Sequence, residues 1–394
     1  MGMSRTITFF VTEPIEELTV ASVAEEAARR GHEVRFESRL DAEADVGIYV
    51  PHATAIPRVN ARFSMVMLHD LGQQQVSWPH FWQVEPWDRF DVGLLPGPAW
   101  RAMYEASCVQ PGFRGPRLGV YTVGWPKFDR VVAREAALRD EVRALAGHLH
   151  LPAGPNILYA PSYENDGKQD DVVAACRNLE ANLLIKHASW PDRYPERIKA
   201  IAEAEQKHRG QHPRVFILDH DLDIMTALAM ADVLVTDESN VMFEALLFGV
   251  PAISVQDWMV PCETPPRRVW KNHDFVIPSA RAELARDLRR VVEAHRDPAA
   301  PGAARELAAH RDRWFSHRGR SGQAILDLLE WLAGDSPETQ ALAGPQPRIL
   351  SLERTLKELQ QWRSTVHRSA SWRLTAPLRR MVDRSRPIKP KVQP

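Results

Sequence analysis

Two histidines stand directly after apolar runs. His69 closes FSMVMLHD and His187 closes NLLIKHA. Imidazole is the side chain best suited to take a proton from a hydroxyl near neutral pH. One such histidine is ordinarily structural, whereas two, each at a strand end in its own domain, read as a pair facing a shared gap. A second constellation is VTDESN, where an apolar run gives way to Thr236, Asp237, Glu238, Ser239 and Asn240. The unpaired amides of a first helical turn, together with the helix dipole, favour an anion there. Ser239 and Asn240 would add side-chain donors. Glu244 lies four residues beyond Asn240, one turn deeper on the same face, where a ribose hydroxyl could be bound. The same residues also make a plain N-cap, with Asp237 or Ser239 bonding the next amides. Spacing does not separate the two readings.

The remaining candidates are weaker. RGRSGQ has the spacing of neither a P-loop nor a G-x-G-x-x-G turn. It reads as a glycine loop between helices, or as a helix start where Ser321 offers an amide to phosphate with Arg320 nearby. LDHDLD looks metal-like, but Asp221 or Asp223 serves as the cap of IMTALAM, and no metal site is assigned. SWPHFWQVEPWDRFD reads as loop and interface packing, or as an aromatic acceptor groove.

These residues need elements to hold them. The first half alternates strand-like pieces (TITFFVT, HEVRFES, VGIYV, FSMVMLHD, DVGLLPG) with a helical stretch, EELTVASVAEEAARRG. A second series follows HLHLPAGPN and ends its strands in polar residues: Ser162, His187, Asp219, Asp237. Strands alternating with helices argue for parallel βαβ units, and open parallel sheets bind ligands outside the carboxyl ends of their strands. The expected fold is α/β: two Rossmann-like doubly wound domains facing a cleft, residues 1–150 and 151–335. Residues 336–394 follow as a linker, an amphipathic helix and a basic tail.

With 394 residues, 44% apolar and 26% charged, the chain has the composition of a soluble globular protein with room for two cores. No run approaches the roughly 20 apolar residues of a membrane span, and MGMSRTITFF lacks the apolar region of a secretory signal. Its fit to an acylation pattern through Gly2 and Thr6 competes with a first strand beginning at Thr6. Cys108, Cys176 and Cys262 are widely spaced and odd in number, which suits a reducing compartment. The net charge of −1 conceals +8 on residues 361–394, which suggests an anionic surface for the tail.

Taken together, ILYAPSYEND, LLIKHAS and DIMTALAMADVLVTDESNVMFEALLFGVPAI, in this order, resemble the CDP-glycerol glycerophosphotransferase family, the teichoic-acid-type polymerases and primases. VMLHDLG looks like that family's strand ending in His-Gly, VGWPKFD like its Gly-x-Pro-x-x-Asp, and RWFSHRGRSGQAI like its last motif. The resemblance implies a GT-B-like fold and transfer of a phosphoglycerol or related phospho-polyol unit from a CDP-linked donor, without a metal or other cofactor. It makes His69 the base and His187 a second essential histidine. It places the donor phosphates on Thr236, Asp237, Ser239, Asn240 and Ser321, and the nucleotide and ribose on Glu244, Pro161 and Ser162. The acceptor, a glycan or lipid-linked glycan, falls beside Asp70, Gly72 and Gly124. Location at the inner face of the cell membrane through residues 361–394 is expected, and no nucleic acid partner. Two rivals remain on the same scaffold: a nucleotide-sugar enzyme (glycosyltransferase or 2-epimerase) and a catalytically silent module.

Overall fold

The structure is a computed structural model describing residues 4–72, 81–109, 113–260, 267–268, 273–296 and 301–332. The expected basic tail, Cys262 and part of the Trp/Pro-rich stretch lie outside the described residues.

The first sheet takes β1 (Thr6–Phe10), β2 (Glu33–Glu37), β3 (Ala44–Tyr49), β4 (Ala61–Met67), β5 (Val92–Leu95) and β6 (Val120–Thr122) in the order β2-β1-β3-β4-β5-β6, all parallel. The second sheet is built from β7 (Asn156–Tyr159), β8 (Asn182–Ile185), β9 (Val215–Ile217), β10 (Val233–Thr236) and β11 (Ala252–Val255). A short antiparallel pair, β12 (Met259–Val260) and β13 (Arg267–Arg268), precedes its last strand, β14 (Val276–Ser279). Its order is β14-β11-β10-β7-β8-β9, again parallel throughout. Each order reverses direction once, between β1 and β3 in the first sheet and between β7 and β10 in the second. Those reversals are where a parallel sheet opens a crevice for ligands.

The helices in chain order are α1 (Pro14–Arg29), α2 (Phe81–Val84), α3 (Pro98–Ser107), α4 (Lys127–Ala133), α5 (Glu135–His148), α6 (Lys168–Cys176), α7 (Pro195–His208), α8 (Ile224–Met230), α9 (Val241–Phe248), α10 (Leu284–Arg296), α11 (Pro301–Trp314) and α12 (Ser321–Leu332). Their starts are written locally. Pro14 presets the first turn of α1, and Glu13 and Glu16 form a reciprocal capping box there. Asp223 caps α8 by accepting from the Met225 amide at 3.0 Å. The chain leaves α9 through Gly249 in the left-handed region, φ +74°, a conformation that L side chains adopt only under strain.

Strand residues alternate between two apolar layers. Ile157, Tyr159, Val233 and Val235 pack with Trp258, Leu284 and Leu288 on the outer face of the second sheet. Leu158 and Leu234 face the other way, into a core continuous with the first sheet through Phe243, Trp314 and Trp100. The second sheet is therefore covered on both sides, the environment in which parallel strands read as unbroken apolar runs. α12, although late in the chain, crosses back and packs on α1 of the first sheet. Gly322 makes this possible, since a Cβ there would come within 2.8 Å of the Ser22 carbonyl oxygen.

Gly322→Ala should push α12 off α1 and lower the unfolding free energy by about 1–3 kcal/mol, the usual cost of overpacking. Urea unfolding of the two chains measures this; an unchanged midpoint would mean that the two helices are not in close contact.

Candidate active site

The carboxyl ends of the two sheets face each other. The loop after β4 carries His69, Asp70, Leu71 and Gly72. The Leu71 amide donates to the Asn240 side-chain oxygen at the start of α9. Gly72 sits where a Cβ would lie 3.3 Å from the Glu238 carbonyl oxygen and 3.4 Å from the Asn240 nitrogen, so backbone approaches backbone. Arg193, in the segment after β8, meets Glu13, just after β1, at 2.5 Å. Tyr163, in the loop after β7, has its phenol pushed up by burial, with the Asp237 and Asp70 charges adding to the effect against Arg197. Asp70 and Tyr163 come from different sheets. Loops at the carboxyl ends of the two sheets thus meet at several points.

On the first sheet, His69 is held by the Glu16 carboxylate, Nδ1 to Oε1, at 2.8 Å. The other oxygen of Glu16 accepts the Thr12 and Glu13 amides. Burial works against protonating His69, but the Glu16 hydrogen bond and the Asp70, Glu16 and Glu13 charges outweigh it and leave the imidazole above its ordinary range. Burial also pushes the Glu16 carboxyl up; His69 and the Thr12 amide reverse this and leave it low. A second histidine, His52, lies with its ring centroid 4.5 Å from that of His69 and its Nδ1 3.2 Å from the buried Glu85. Sequence reasoning missed Glu16, His52 and Glu85. Only Glu16 left a local trace, as the acidic third position of the α1 capping box.

On the second sheet, several expected ligand contacts turn inward. The expectation that Asp237 holds phosphate is corrected. Its carboxylate accepts the Ser162 amide and hydroxyl, both at 2.8 Å, and forms an ion pair with Lys168 at 2.7 Å with both side chains fully buried. This joins the loops after β7 and β10 at the strand-order reversal. Ser162 is consumed in the same contact, and Pro161 is buried beside it. Thr236 Oγ1 donates to the Ala160 carbonyl at 2.7 Å. Ser239 is buried and its hydroxyl accepts the Val241 amide at 3.4 Å, a capping contact. Asn240 spends its side-chain oxygen on Leu71. The expected ribose ligand Glu244 is instead bound by Lys127 of α4, 2.7 Å away, in a pair almost wholly buried between the units.

His187 is not at the cleft surface. It is 1% exposed, with its Nε2 2.8 Å from Gln169 Oε1. Gln169 donates its amide nitrogen to the Ala204 carbonyl at 2.8 Å, which turns its oxygen toward the imidazole. His187 therefore carries its proton on Nε2. Burial, with His220 and Lys186 nearby, drives its pKa down to about 3, so it is neutral and acts through its packing. Beside it Lys186 gives its ammonium to the His187 and His220 carbonyls, and burial brings its pKa to about 8.

The motif GWPKFD also turns out to join the units. The amides of Ser321 and Gly322, at the start of α12, donate to the Asp129 carboxylate at 3.0 and 2.7 Å. The anion expected on Ser321 is therefore this carboxylate rather than a phosphate. Gly124, expected beside the acceptor, has φ +89° and abuts the Ser321 hydroxyl and the Ser316 carbonyl. Among the described residues no group of three or more His, Cys, Asp or Glu could hold a metal ion.

One half-buried acid in this region, Glu164, has its carboxyl shifted upward. Burial raises the Glu164 carboxyl to about 7, although the Tyr159 hydroxyl donates to it at 2.6 Å. A carboxyl with a raised folded-state pKa contributes stability in full below its unfolded value and loses it as pH rises through the folded value. The unfolding free energy should accordingly fall between pH 4.5 and about 7, and Glu164→Gln should flatten that part of the pH–stability curve. Equal slopes for both chains would contradict the assignment.

Comparison with known proteins adds to this geometry. The profile of the CDP-Glycerol:Poly(glycerophosphate) glycerophosphotransferase family matches residues 102–330. No curated protein sequence matches the chain. Among solved structures, the wall teichoic acid polymerase TagF, as a histidine variant soaked with CDPG, is similar at a TM-score of 0.54 and 14% identity, over 82% of this chain and 88% of that one. MnaA of S. aureus with UDP is similar at 0.55 and 13%, over 84% and 97%. A UDP-GlcNAc 2-epimerase of Methanocaldococcus jannaschii in complex with UDP-GlcNAc and UDP is similar at 0.52 and 12%, over 84% and 100%. At these identities the structures share a fold of GT-B type: two parallel sheets flanked by helices. The family match spans more than half of the residues, and the chain belongs to the CDP-glycerol:poly(glycerophosphate) glycerophosphotransferase family.

Proposed function

We propose that this enzyme moves a phosphoglycerol, or a related phospho-polyol unit, from a CDP-linked donor to a hydroxyl of a glycan or lipid-linked glycan. The observation that carries the reading is the abutment of the His69 loop on the start of α9, through the Leu71 amide and Asn240 and through Gly72. In this reading the base and an anion site lie on opposite walls of one gap, and that abutment supports it. TagF, whose name states wall teichoic acid polymerisation, supplies the analogy for donor and product.

In this reading His69 accepts the proton of the acceptor hydroxyl. The oxygen attacks the β-phosphorus of the donor, the pyrophosphate bond breaks, and CMP leaves with the bridging oxygen. The positive end of the α9 dipole lies near the charge on the phosphate oxygens. The first amides of α9 are bonded to Ser239 and Asn240, and the Asn240 side chain to Leu71, so admission of the donor draws Leu71 and Gly72 back from the α9 start. Neutral His187 braces the wall from behind, between Tyr159 and His220. No metal or other cofactor is assigned. Contact with an anionic inner membrane face, through residues 361–394, belongs to the same proposal; among the described residues no helix is long and apolar enough to cross a membrane.

The similar TM-scores of TagF and MnaA make the donor the decisive question. CDP-glycerol should raise the melting temperature and UDP-sugars should not; the reverse pattern would favour a nucleotide-sugar enzyme. His69→Ala should lower turnover of CDP-glycerol by roughly 10²–10⁴-fold, the usual contribution of a positioned base. Full turnover without His69 would remove it from the chemistry.

A further inference from the structure

We propose that Glu16 is the positioning residue of His69, fixing which imidazole nitrogen is free to accept a proton. The proposal rests on the reading of His69 as the base and names a residue to which neither the family match nor the sequence assigns a role. Glu16 is 1% exposed, and its two carboxylate oxygens have separate tasks. Oε2 accepts the backbone amides of Thr12 and Glu13 and the Thr12 hydroxyl, and Oε1 meets His69 Nδ1 at 2.8 Å. A carboxylate only accepts. The proton of neutral His69 therefore sits on Nδ1, and Nε2 keeps its lone pair. The ring is locked to the first turn of α1, an element fixed by Pro14 and by its own capping box. When Nε2 takes the acceptor's proton, the imidazolium that forms is already paired with an anion.

The groups facing His69 come from three elements: Glu13 and Glu16 from α1, Asp70 from its own loop, and His52 from the loop after β3, with Glu85 behind His52. His52 is a basic neighbour of His69. Its ring lies against His69 while its Nδ1 is held by a different buried carboxylate, so the two histidines do not compete for one partner.

Glu16→Gln separates positioning from capping. The amide nitrogen of glutamine cannot accept from the Thr12 and Glu13 amides, so the amide oxygen must turn toward them. Its NH2 then faces His69 Nδ1 as a donor, which moves the histidine proton to Nε2 and removes the lone pair from the reacting side. The helix cap survives while the tautomer is reversed.

The test begins with histidine side-chain nitrogen NMR on the full chain, using His69→Ala to assign the resonance. Wild-type His69 should show the Nδ1–H tautomer, and Glu16→Gln should show Nε2–H with a lower titration midpoint. Turnover of CDP-glycerol by Glu16→Gln should fall about 100-fold in kcat with KM nearly unchanged, since an interaction confined to the reacting state is lost. The acid limb of its pH–rate profile should move to lower pH. A wild-type Nε2–H tautomer overturns the proposal whatever Glu16→Gln does. So does an unchanged kcat in Glu16→Gln. Full turnover by His69→Ala overturns the base itself, and the positioning role with it, even where the tautomer is as inferred.

Discussion

Buried charge at the junction of the two units is the constraint on which the rest of the structure depends. Asp129 lies inside the protein with its carboxylate on the first two amides of α12, and Lys127, two residues earlier, is paired with Glu244 of α9. Burial raises the Asp129 carboxyl, and the amides of Gly322 and Ser321 oppose that rise. A charge taken out of water is tolerated only where its partners meet it in good geometry. One helical turn of α4 therefore fixes both the returning helix α12 and the helix whose start faces the gap. The GWPKFD stretch works as a joint rather than as a ligand site.

The same economy appears at the gap itself. Glu16 is a helix cap that also touches the candidate base, and Asp237 holds the loop after β7 by accepting from Ser162 while neutralising Lys168. In both places a buried carboxylate is spent on protein, Asp237 against the expectation that it binds a ligand. What the facing loops present is mostly the backbone of Leu71 and Gly72 and the imidazole of His69, since the first amides of α9 are bonded to Ser239 and Asn240. The loops on both sides draw their shape from the ion pairs and hydrogen bonds that pin them from behind.

The fold was largely legible because its signals are local. Strands buried on both faces appear as apolar runs such as VLVT, and the start of α8 declares itself at Asp223. The histidines after β4 and β8 were visible for the same reason. Their surroundings were not. Polar residues after a strand look alike whether they face a ligand or a neighbouring loop, and the deciding partners are distant in sequence: Lys127 from Glu244, Lys168 from Asp237, Glu16 from His69. His187 illustrates the point, being recognisable as a strand-end histidine yet enclosed by Tyr159, Gln169 and His220, none of which its own segment announces.

The continuity of the apolar core across both sheets carries a consequence for how the gap widens. Phe243 of α9 touches Trp100 of α3 and Trp314 of α11, with Phe275 and His273 closing the cluster. Lobes joined by a bare linker could swing freely, whereas these are joined by a buried cluster of aromatic rings whose centroids lie 5.1–5.4 Å apart around Phe243. A movement of one wall relative to the other has to slide these rings past one another, which is shear rather than hinge motion. The travel available to the two walls is set less by the loops that line them than by the play in that cluster.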